Sequence, residues 1–314
     1  MTAMVFKDKK RIQLRDLKDL TLLPSFVEQC ESEYRNRLEQ IAASILESGV
    51  SVILVSGPSA SGKTTSSLLL AREMTRRGKK TSVISLDNFF KNLEEYPKQK
   101  NGEPDFEHLH ALDVEAVNES LSKLTTTGTT LIPSFDFATH RSTPNAQEVH
   151  VDSNSAVIIE GIHALNPELT KSVDAGSVLK IYAGLRTEYY EGRKRIIATR
   201  DIRITRRVIR DERDCGYSVE NTLSLWKNIM AGEEKWIKPF KADANYLLNT
   251  ALDYEPCLYA DDLRTLADNS KGGRFQTELE TLADVFSQAG TLPMELVPND
   301  SMLREFIGGL DLDE

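Results

Sequence analysis

The chain carries Gly57-Pro58-Ser59-Ala60-Ser61-Gly62-Lys63-Thr64, which fits the pattern G-x-x-x-x-G-K-[ST]. The β-branched run at residues 50–55 precedes it and predicts a buried strand. The apolar residues of 65–74 follow it and predict a helix packed on a sheet. In such a strand–loop–helix unit the glycines let the backbone wrap tightly, so that successive N–H groups point at a phosphate chain near the helix N-terminus. We therefore predict that the chain binds a nucleoside triphosphate.

The loop also predicts the cofactors, ATP and Mg²⁺. Lys63 would reach the β- and γ-phosphates, and the Thr64 hydroxyl would hold Mg²⁺. The predicted nucleotide contacts are Gly57, Pro58, Ser59, Ala60, Ser61, Gly62, Lys63, Thr64 and Thr65.

Length and composition limit the class of protein. At 314 residues we expect one large α/β domain, or one domain with appendages. The hydrophobic content of 40% and charged content of 28% are ordinary for a soluble globular protein. A net charge of −9 argues against general nucleic-acid binding, which favours a positive surface.

Cysteine usage and hydropathy predict the compartment. Cys30, Cys215 and Cys257 are odd in number and far apart, which suits neither a disulfide framework nor a zinc site. No apolar run approaches the ~18 residues of a membrane-spanning helix, and residues 1–10 lack the apolar core of a signal peptide. We expect a cytoplasmic protein with reduced thiols and no membrane partner.

Strands that alternate with helices predict a doubly wound parallel sheet of the kind found in P-loop NTPases, with ligands at the carboxyl ends of its strands. The five predicted strands are residues 50–55, 81–86, 156–160, 178–182 and 246–248. Helices are predicted at 25–47, with Ser25 as N-cap, and at 114–124, and a short further strand at 130–135. The polar segment 91–104 is predicted to be a mobile loop.

The predicted organisation has three parts. We expect residues 1–48 to form an N-terminal extension and helix, and residues 49–253 to form the nucleotide-binding domain with a helical lid at about 186–217. Residues 254–314 are helical and acidic, and we expect an appendage outside the nucleotide core.

Two acidic residues close strands on the edge that carries the loop. Phosphoryl transfer needs charge neutralisation, in-line positioning and a carboxylate near the attacking hydroxyl. Asp87 suits the carboxylate role, and Glu160 suits a direct or water-mediated Mg²⁺ contact. The alternatives are that Asp87 is a helix N-cap and that Glu160 is a solvated strand end.

Nine arginines lie between Arg186 and Arg213. Four of them, Arg203, Arg206, Arg207 and Arg210, are spaced for one broad helical face. We interpret Arg207 and Arg210 as lid residues that stabilise transition-state charge, and most of the others as a solvated face with intrahelical pairs.

Aromatic and polar residues that could hold an acceptor cluster after the second strand. Aromatic faces can stack on a base, while Glu107 and His140 could bond sugar hydroxyls or base edges. Core packing is the alternative for any single aromatic residue. The candidate substrate contacts are Phe90, Phe106, Glu107, Phe135 and His140.

With these motifs in this order the chain resembles the uridine kinase–phosphoribulokinase group of P-loop kinases. It is most similar to the kinase half of bacterial nucleoside kinases that carry an N-terminal TGS region. The resemblance rests on GPSASGKTT (57–65), SLDNFF (85–90), PDFEHLHALD (104–113), IPSFDFATH (132–140), VIIEGIHALNPELT (157–170), DIRITRRVIRD (201–211), GYSVENTLSLWKNIMAGEEKWIKPF (216–240) and SMLREFIGG (301–309).

The resemblance implies the role of each candidate residue. Asp87 would be the general base, Thr64 and Glu160 would contact Mg²⁺, and Arg207 and Arg210 would belong to the lid. The acceptor contacts would include Phe106, Glu107, Phe135 and His140.

Several positions depart from the family pattern. Glu107 stands where aspartate is usual, and Phe90 and Phe135 stand where tyrosines are common. Cys215 replaces a lid arginine, with Arg213 beside it as a candidate to compensate. These departures leave phosphoryl transfer intact but leave the acceptor open.

The sequence therefore predicts an ATP- and Mg²⁺-dependent kinase for a small-molecule hydroxyl. The first choice of acceptor is the 5′-hydroxyl of a nucleoside, uridine or cytidine. The alternatives are a sugar, a polyol or another nucleoside as acceptor, or a catalytically decayed nucleotide-binding regulator. The oligomeric state stays open, with a homo-oligomer among the alternatives.

Overall fold

A computed structural model of the protein describes residues 9–20, 24–214 and 216–312. The expectations for residues 1–8 and 21–23, and for Cys215, lie outside the described residues.

The central element is a five-stranded parallel sheet. Its spatial order is β10-β7-β2-β6-β3, and the strands are β2 (Val52–Ser56), β3 (Lys80–Ser85), β6 (Ser155–Glu160), β7 (Val178–Gly184) and β10 (Tyr246–Asn249). These are the five strands predicted from the sequence, and the parallel α/β class is confirmed. Because β2, β6 and β3 are neighbours, the segments that follow their carboxyl ends meet at one edge of the sheet.

Apolar residues bury both faces of the sheet. Along β2 every residue is buried, and Ile53 and Val55 belong to one core cluster while Val52 and Leu54 belong to the other. Helices therefore cover the sheet on two sides. They are α1 (Leu14–Leu20), α2 (Pro24–Ser48), α3 (Lys63–Arg76), α4 (Val114–Thr126), α5 (Thr199–Asp214), α6 (Val219–Trp236), α7 (Ala260–Asn269), α8 (Gln276–Ser287) and α9 (Arg304–Ile307).

Helix α2 begins one residue earlier than predicted. Ser25 lies within its first turn, so the N-cap assignment for Ser25 is wrong. The predicted end is close, because α2 ends at Ser48 and Gly49 follows with a φ of +71°.

Two further β structures stand outside the parallel sheet. β4 (Thr129–Asp136) pairs antiparallel with β5 (Arg141–His150), and β8 (Thr187–Glu191) pairs with β1 (Lys10–Gln13) and β9 (Lys194–Ile197). The strand predicted at 130–135 is therefore one arm of a hairpin. Its partner was not predicted, because β5 is mostly polar and exposed and shows no alternation of apolar residues.

The C-terminal region is helical, as expected, but it does not stand apart from the nucleotide domain. Leu263, Phe286 and Phe306 are fully buried and belong to the same core cluster as residues of α2, α3 and α5. Most of the described acidic residues of this region are exposed, although Glu255 is fully buried, and the region's apolar face completes the core. Within the described ranges, the helices include none that is long and apolar enough to cross a membrane.

Candidate active site

The predicted phosphate-binding loop forms the turn between β2 and α3. Lys63 is the first residue of α3, and Gly62 precedes it in the left-handed conformation, with a φ of +79°. Gly62 is required for a second reason, since a Cβ there would lie 2.5 Å from Met302 Sδ. The first bond within α3 runs from Ser66 N–H to Gly62 O at 3.0 Å, so the N–H groups of residues 63–65 have no acceptor within the helix.

Lys63, Asp87 and Glu160 lie at this edge of the sheet and interact electrostatically. Burial raises the pKa of the Asp87 carboxyl, and the Lys63 ammonium opposes that rise. The same two causes act on Glu160, whose pKa burial also raises. The loop lysine is therefore close to both acidic side chains, as the strand order requires.

The structural alternatives for the two acids do not hold. The N-cap of the 3-10 helix Leu86–Phe89 is Ser85, whose hydroxyl accepts from Asp87 N–H at 3.2 Å. Glu160 is 4% exposed, so it is not a solvated strand end. Neither carboxylate is explained by local structure alone.

The residues fit a magnesium ion. Glu160 Oε2 is buried and has no hydrogen-bond partner among the described residues, which leaves an oxygen for a ligand. Thr64 is exposed on the loop at the start of α3. Mg²⁺ is held in proteins by one or two carboxylates together with substrate phosphates, and this set of oxygens suits that mode.

Helix α5 lies against the phosphate-binding loop. Arg203 Nε donates to Ser59 O at 2.8 Å, and Arg206 Nη1 donates to Ala60 O at 3.3 Å. Both arginines are buried and ion-paired, Arg203 with Glu233 and Arg206 with Glu255. The interpretation of α5 as a solvated face is therefore wrong for Arg203 and Arg206.

Arg207 and Arg210 are held by one buried acid. Arg207 Nε lies 3.1 Å from Asp211 Oδ2, and Arg210 Nη2 lies 2.7 Å from Asp211 Oδ1. Arg207 also donates to Ser59 Oγ at 2.5 Å, which brings it to the loop. Asp211 was not predicted, because an acid within a run of arginines is ordinary for a helix surface.

The candidate acceptor residues form an aromatic cluster, as their clustering in sequence suggested. Ring centroids are 5.5 Å apart for Phe90 and Phe135, and 6.1 Å apart for Phe106 and His140. Tyr96, which was not singled out, joins them at 5.3 Å from Phe106 and 5.8 Å from Phe90. Burial and the charge of Asp87 raise the pKa of Tyr96, so the cluster adjoins the Asp87 carboxylate. Tyr96 was missed because its polar flanks predicted a loop.

Glu107 lies between this cluster and helix α6. Burial raises its pKa to about 7, while the charges of Arg207 and Lys63 oppose the rise. Glycine at 232 allows the approach, because a Cβ on Gly232 would lie 2.6 Å from the Glu107 Cβ. Glu107 thus faces the same space as Lys63 and Arg207.

The C-terminal segment also reaches the loop. Glu305 Oε2 accepts from Thr65 Oγ1 at 2.6 Å and from Thr65 N–H at 3.3 Å. Arg213 donates to Phe306 O at 2.6 Å and to Glu305 O at 3.2 Å. In this conformation Arg213 holds the C-terminal segment, and its compensation for a lid arginine stays untested.

A sequence model of the phosphoribulokinase/uridine kinase family matches residues 52–253, well over half of the chain. The chain belongs to this family. The predicted family resemblance is thereby confirmed, and the protein is a P-loop kinase that transfers a phosphoryl group to an alcohol. Kinases of this family use ATP and Mg²⁺.

Among its relatives are proteins named uridine kinase. That of Halobacterium salinarum is 25% identical over 196 residues, which cover 62% of this chain and 77% of that protein. That of Oceanobacillus iheyensis is 26% identical over 201 residues, which cover 63% of this chain and 85% of that protein. Identity at this level supports the family and leaves the acceptor undetermined.

A solved structure shares the fold. It is a protein from Silicibacter sp. TM1040 whose assignment as a fructose transport system kinase is provisional. The match has a TM-score of 0.50 and 20% identity and covers 67% of this chain and 98% of that one. The likeness supports the P-loop kinase architecture.

Proposed function

We propose that this kinase transfers the γ-phosphoryl group of ATP to the 5′-hydroxyl of a nucleoside, with uridine and cytidine as the first candidates. The observation that carries the proposal is the contact between two groups of residues. The Lys63–Asp87–Glu160 group adjoins the aromatic cluster of Phe90, Tyr96, Phe106, Phe135 and His140 at Asp87, because Phe90 N–H donates to Asp87 O at 3.3 Å and the Asp87 charge helps to raise the pKa of Tyr96.

On the donor side, the N–H groups of residues 57–65 would cradle the phosphates, and Lys63 would neutralise charge on the β- and γ-phosphates. Thr64 and Glu160 would hold Mg²⁺, which stabilises charge on the transferring phosphoryl group. Arg207 contacts the loop through Ser59 and would add positive charge as the γ-phosphoryl group departs.

On the acceptor side, Asp87 would accept the proton of the attacking hydroxyl. The hydroxyl oxygen then forms a bond to the γ-phosphorus. The bond between the γ-phosphorus and the β–γ bridging oxygen breaks, and ADP leaves. Burial makes Asp87 more basic, and the Lys63 charge keeps it available in the ionised form.

The aromatic rings and Glu107 would select the acceptor. Phe106 is exposed at one side of the cluster and could stack on a planar base. Glu107 could accept hydrogen bonds from two neighbouring sugar hydroxyls, a role that favours a ribonucleoside over a simple alcohol.

An acceptor screen tests the proposal. ADP release is measured with purified protein, ATP and Mg²⁺ across ribonucleosides, deoxynucleosides, sugars and polyols, with Lys63→Ala as the inactive variant. The matched control is Lys171→Ala, since Lys171 is an exposed lysine outside the site. Uridine or cytidine should give the highest kcat/KM in the native protein and in the control.

Two results would contradict the proposal. Preference for a sugar or polyol would show that the acceptor is not a nucleoside, while the proposed ATP site would remain supported. No transfer to any acceptor, with ATP still bound, would favour the nucleotide-binding regulator.

A further inference from the structure

The segment Ser301–Gly308 is firmly seated beside the phosphate-binding loop. Met302, Leu303 and Phe306 are fully buried, and Phe306 lies beneath the Arg206 guanidinium at 4.6 Å from its ring centroid. Arg213 fixes the backbone by donating to the Phe306 and Glu305 carbonyl groups. The segment is therefore part of the folded core, and its backbone cannot leave without exposing these side chains.

From this segment one carboxylate reaches the loop. Glu305 Oε2 accepts both the hydroxyl hydrogen and the N–H of Thr65, at 2.6 Å and 3.3 Å. Thr65 is the third residue of α3, and its N–H is one of the donors that a helix start offers to an anion. A carboxylate oxygen on these donors takes the place that a phosphate oxygen would use.

The two anions cannot share this position. The Thr65 hydroxyl has one hydrogen to donate, and in this conformation it donates that hydrogen to Glu305. A polyphosphate chain in the loop would therefore meet both a blocked donor and a like charge.

We propose that Glu305 is an internal competitor for the phosphate chain of the nucleotide, and that its carboxylate must leave Thr65 before a phosphate can bind there. The side chain turns away while the buried segment stays in place. This inference rests on the proposed nucleotide site. It makes Glu305 a determinant of donor affinity, although it lies about 240 residues from the loop in sequence.

Glu305→Gln tests the competition, because the amide keeps the shape and removes the charge. The matched control is Glu295→Gln, an exposed glutamate in the same region that changes net charge equally. Dissociation constants are measured by calorimetry for Mg²⁺-ATP and for inorganic tripolyphosphate. Thermal unfolding of each variant shows that the fold is kept.

We expect Glu305→Gln to bind both ligands about tenfold more tightly than the native protein does. The neutral amide loses the charge-assisted hydrogen bonds that the carboxylate makes to Thr65, so it competes less well with a phosphate. Glu295→Gln should match the native protein. Tripolyphosphate is included because a competition for the phosphate chain needs no base or ribose.

Each other result overturns the inference. Unchanged ATP binding in Glu305→Gln would show that the carboxylate does not affect nucleotide affinity. Weaker ATP binding would show that the carboxylate stabilises the loop in its binding conformation. If Glu305→Gln binds ATP more tightly but tripolyphosphate as the native protein does, Glu305 acts on the nucleoside part of ATP and not on its phosphate chain. If the native protein and both variants bind no ATP, the proposed function fails and this inference fails with it.

Discussion

Arg206 and Glu255 form a fully buried bidentate ion pair, with Nε 2.5 Å from Oε1 and Nη2 2.7 Å from Oε2. Arg206 also donates to the Ala60 carbonyl of the phosphate-binding loop and to the Thr250 carbonyl beyond β10. A single guanidinium thus joins helix α5, the loop and the chain that leads into the C-terminal helices. The predicted lid helix is anchored to the loop by a structural arginine.

Arg206→Met should destabilise the protein by about 3–5 kcal/mol, because it leaves the Glu255 carboxylate buried without a partner. Urea denaturation measures the loss. The double variant Arg206→Met with Glu255→Leu should recover much of it, since no isolated charge remains. A loss below about 1 kcal/mol in the single variant would show that Glu255 finds another partner or water.

Asp87→Asn should preserve ATP affinity and lower kcat by about 10²–10⁴, since the amide keeps the shape but cannot accept the hydroxyl proton. Single-turnover kinetics with saturating ATP separate the chemical step from binding. Weaker ATP binding with normal turnover of the bound substrate would instead identify Asp87 as a metal ligand or structural residue.

Arg210→Ala should lower kcat more than it raises the KM for ATP, because its charge matters most as negative charge shifts between phosphate oxygens. Asp211→Asn should cause a smaller loss of the same kind, since Asp211 orients both Arg207 and Arg210. Arg200→Ala, at an exposed arginine of the same helix, is the control. Equal losses of kcat in Arg200→Ala and Arg210→Ala would indicate a general electrostatic effect of the helix arginines rather than a contact of Arg210 with the phosphates.

Glu107 should make both stability and acceptor binding depend on pH. Its pKa is raised from 4.5 to about 7 in the folded protein, so the folded state favours the protonated form. Protonated Glu107 therefore makes its full contribution to the free energy of unfolding below pH 4.5. That contribution is lost as the pH rises through about 7, because the carboxyl ionises in its buried position. Glu107→Gln should melt higher than the native protein at pH 8 and similarly at pH 4.

Acceptor affinity should change in the opposite direction. If the ionised carboxylate accepts hydrogen bonds from sugar hydroxyls, the native acceptor KM falls as the pH rises through about 7. Glu107→Gln should have a higher KM with no such pH dependence. A native KM that is flat between pH 6 and 8 would rule out this role.

Gly232→Ala should raise the acceptor KM by about tenfold with little change in the KM for ATP. The added Cβ would lie 2.6 Å from the Glu107 Cβ and would push that side chain from its position. By helix propensity alone the same change would be stabilising. Gly176→Ala, where the added Cβ meets nothing within 4 Å, should leave both KM values unchanged.

Local sequence predicted the parts of the fold that depend on short-range patterns. Short apolar runs indicated all five parallel strands, and the glycine spacing indicated the loop, because these features need only the geometry of neighbouring residues. The positions of Asp87 and Glu160 followed, since parallel strands place their carboxyl ends on one edge.

Tertiary packing determined which charged residues are structural and which face the site. Helical spacing puts Arg203, Arg206 and Arg207 on one face, yet Arg203 and Arg206 are buried against Glu233 and Glu255. Those partners lie tens of residues away in sequence, and periodicity within one helix carries no information about them. The same holds for Tyr96 in the aromatic cluster and for Glu305 on Thr65. Contacts between distant segments depend on how helices pack on the sheet, and a single sequence records the pattern of each segment but not its partner.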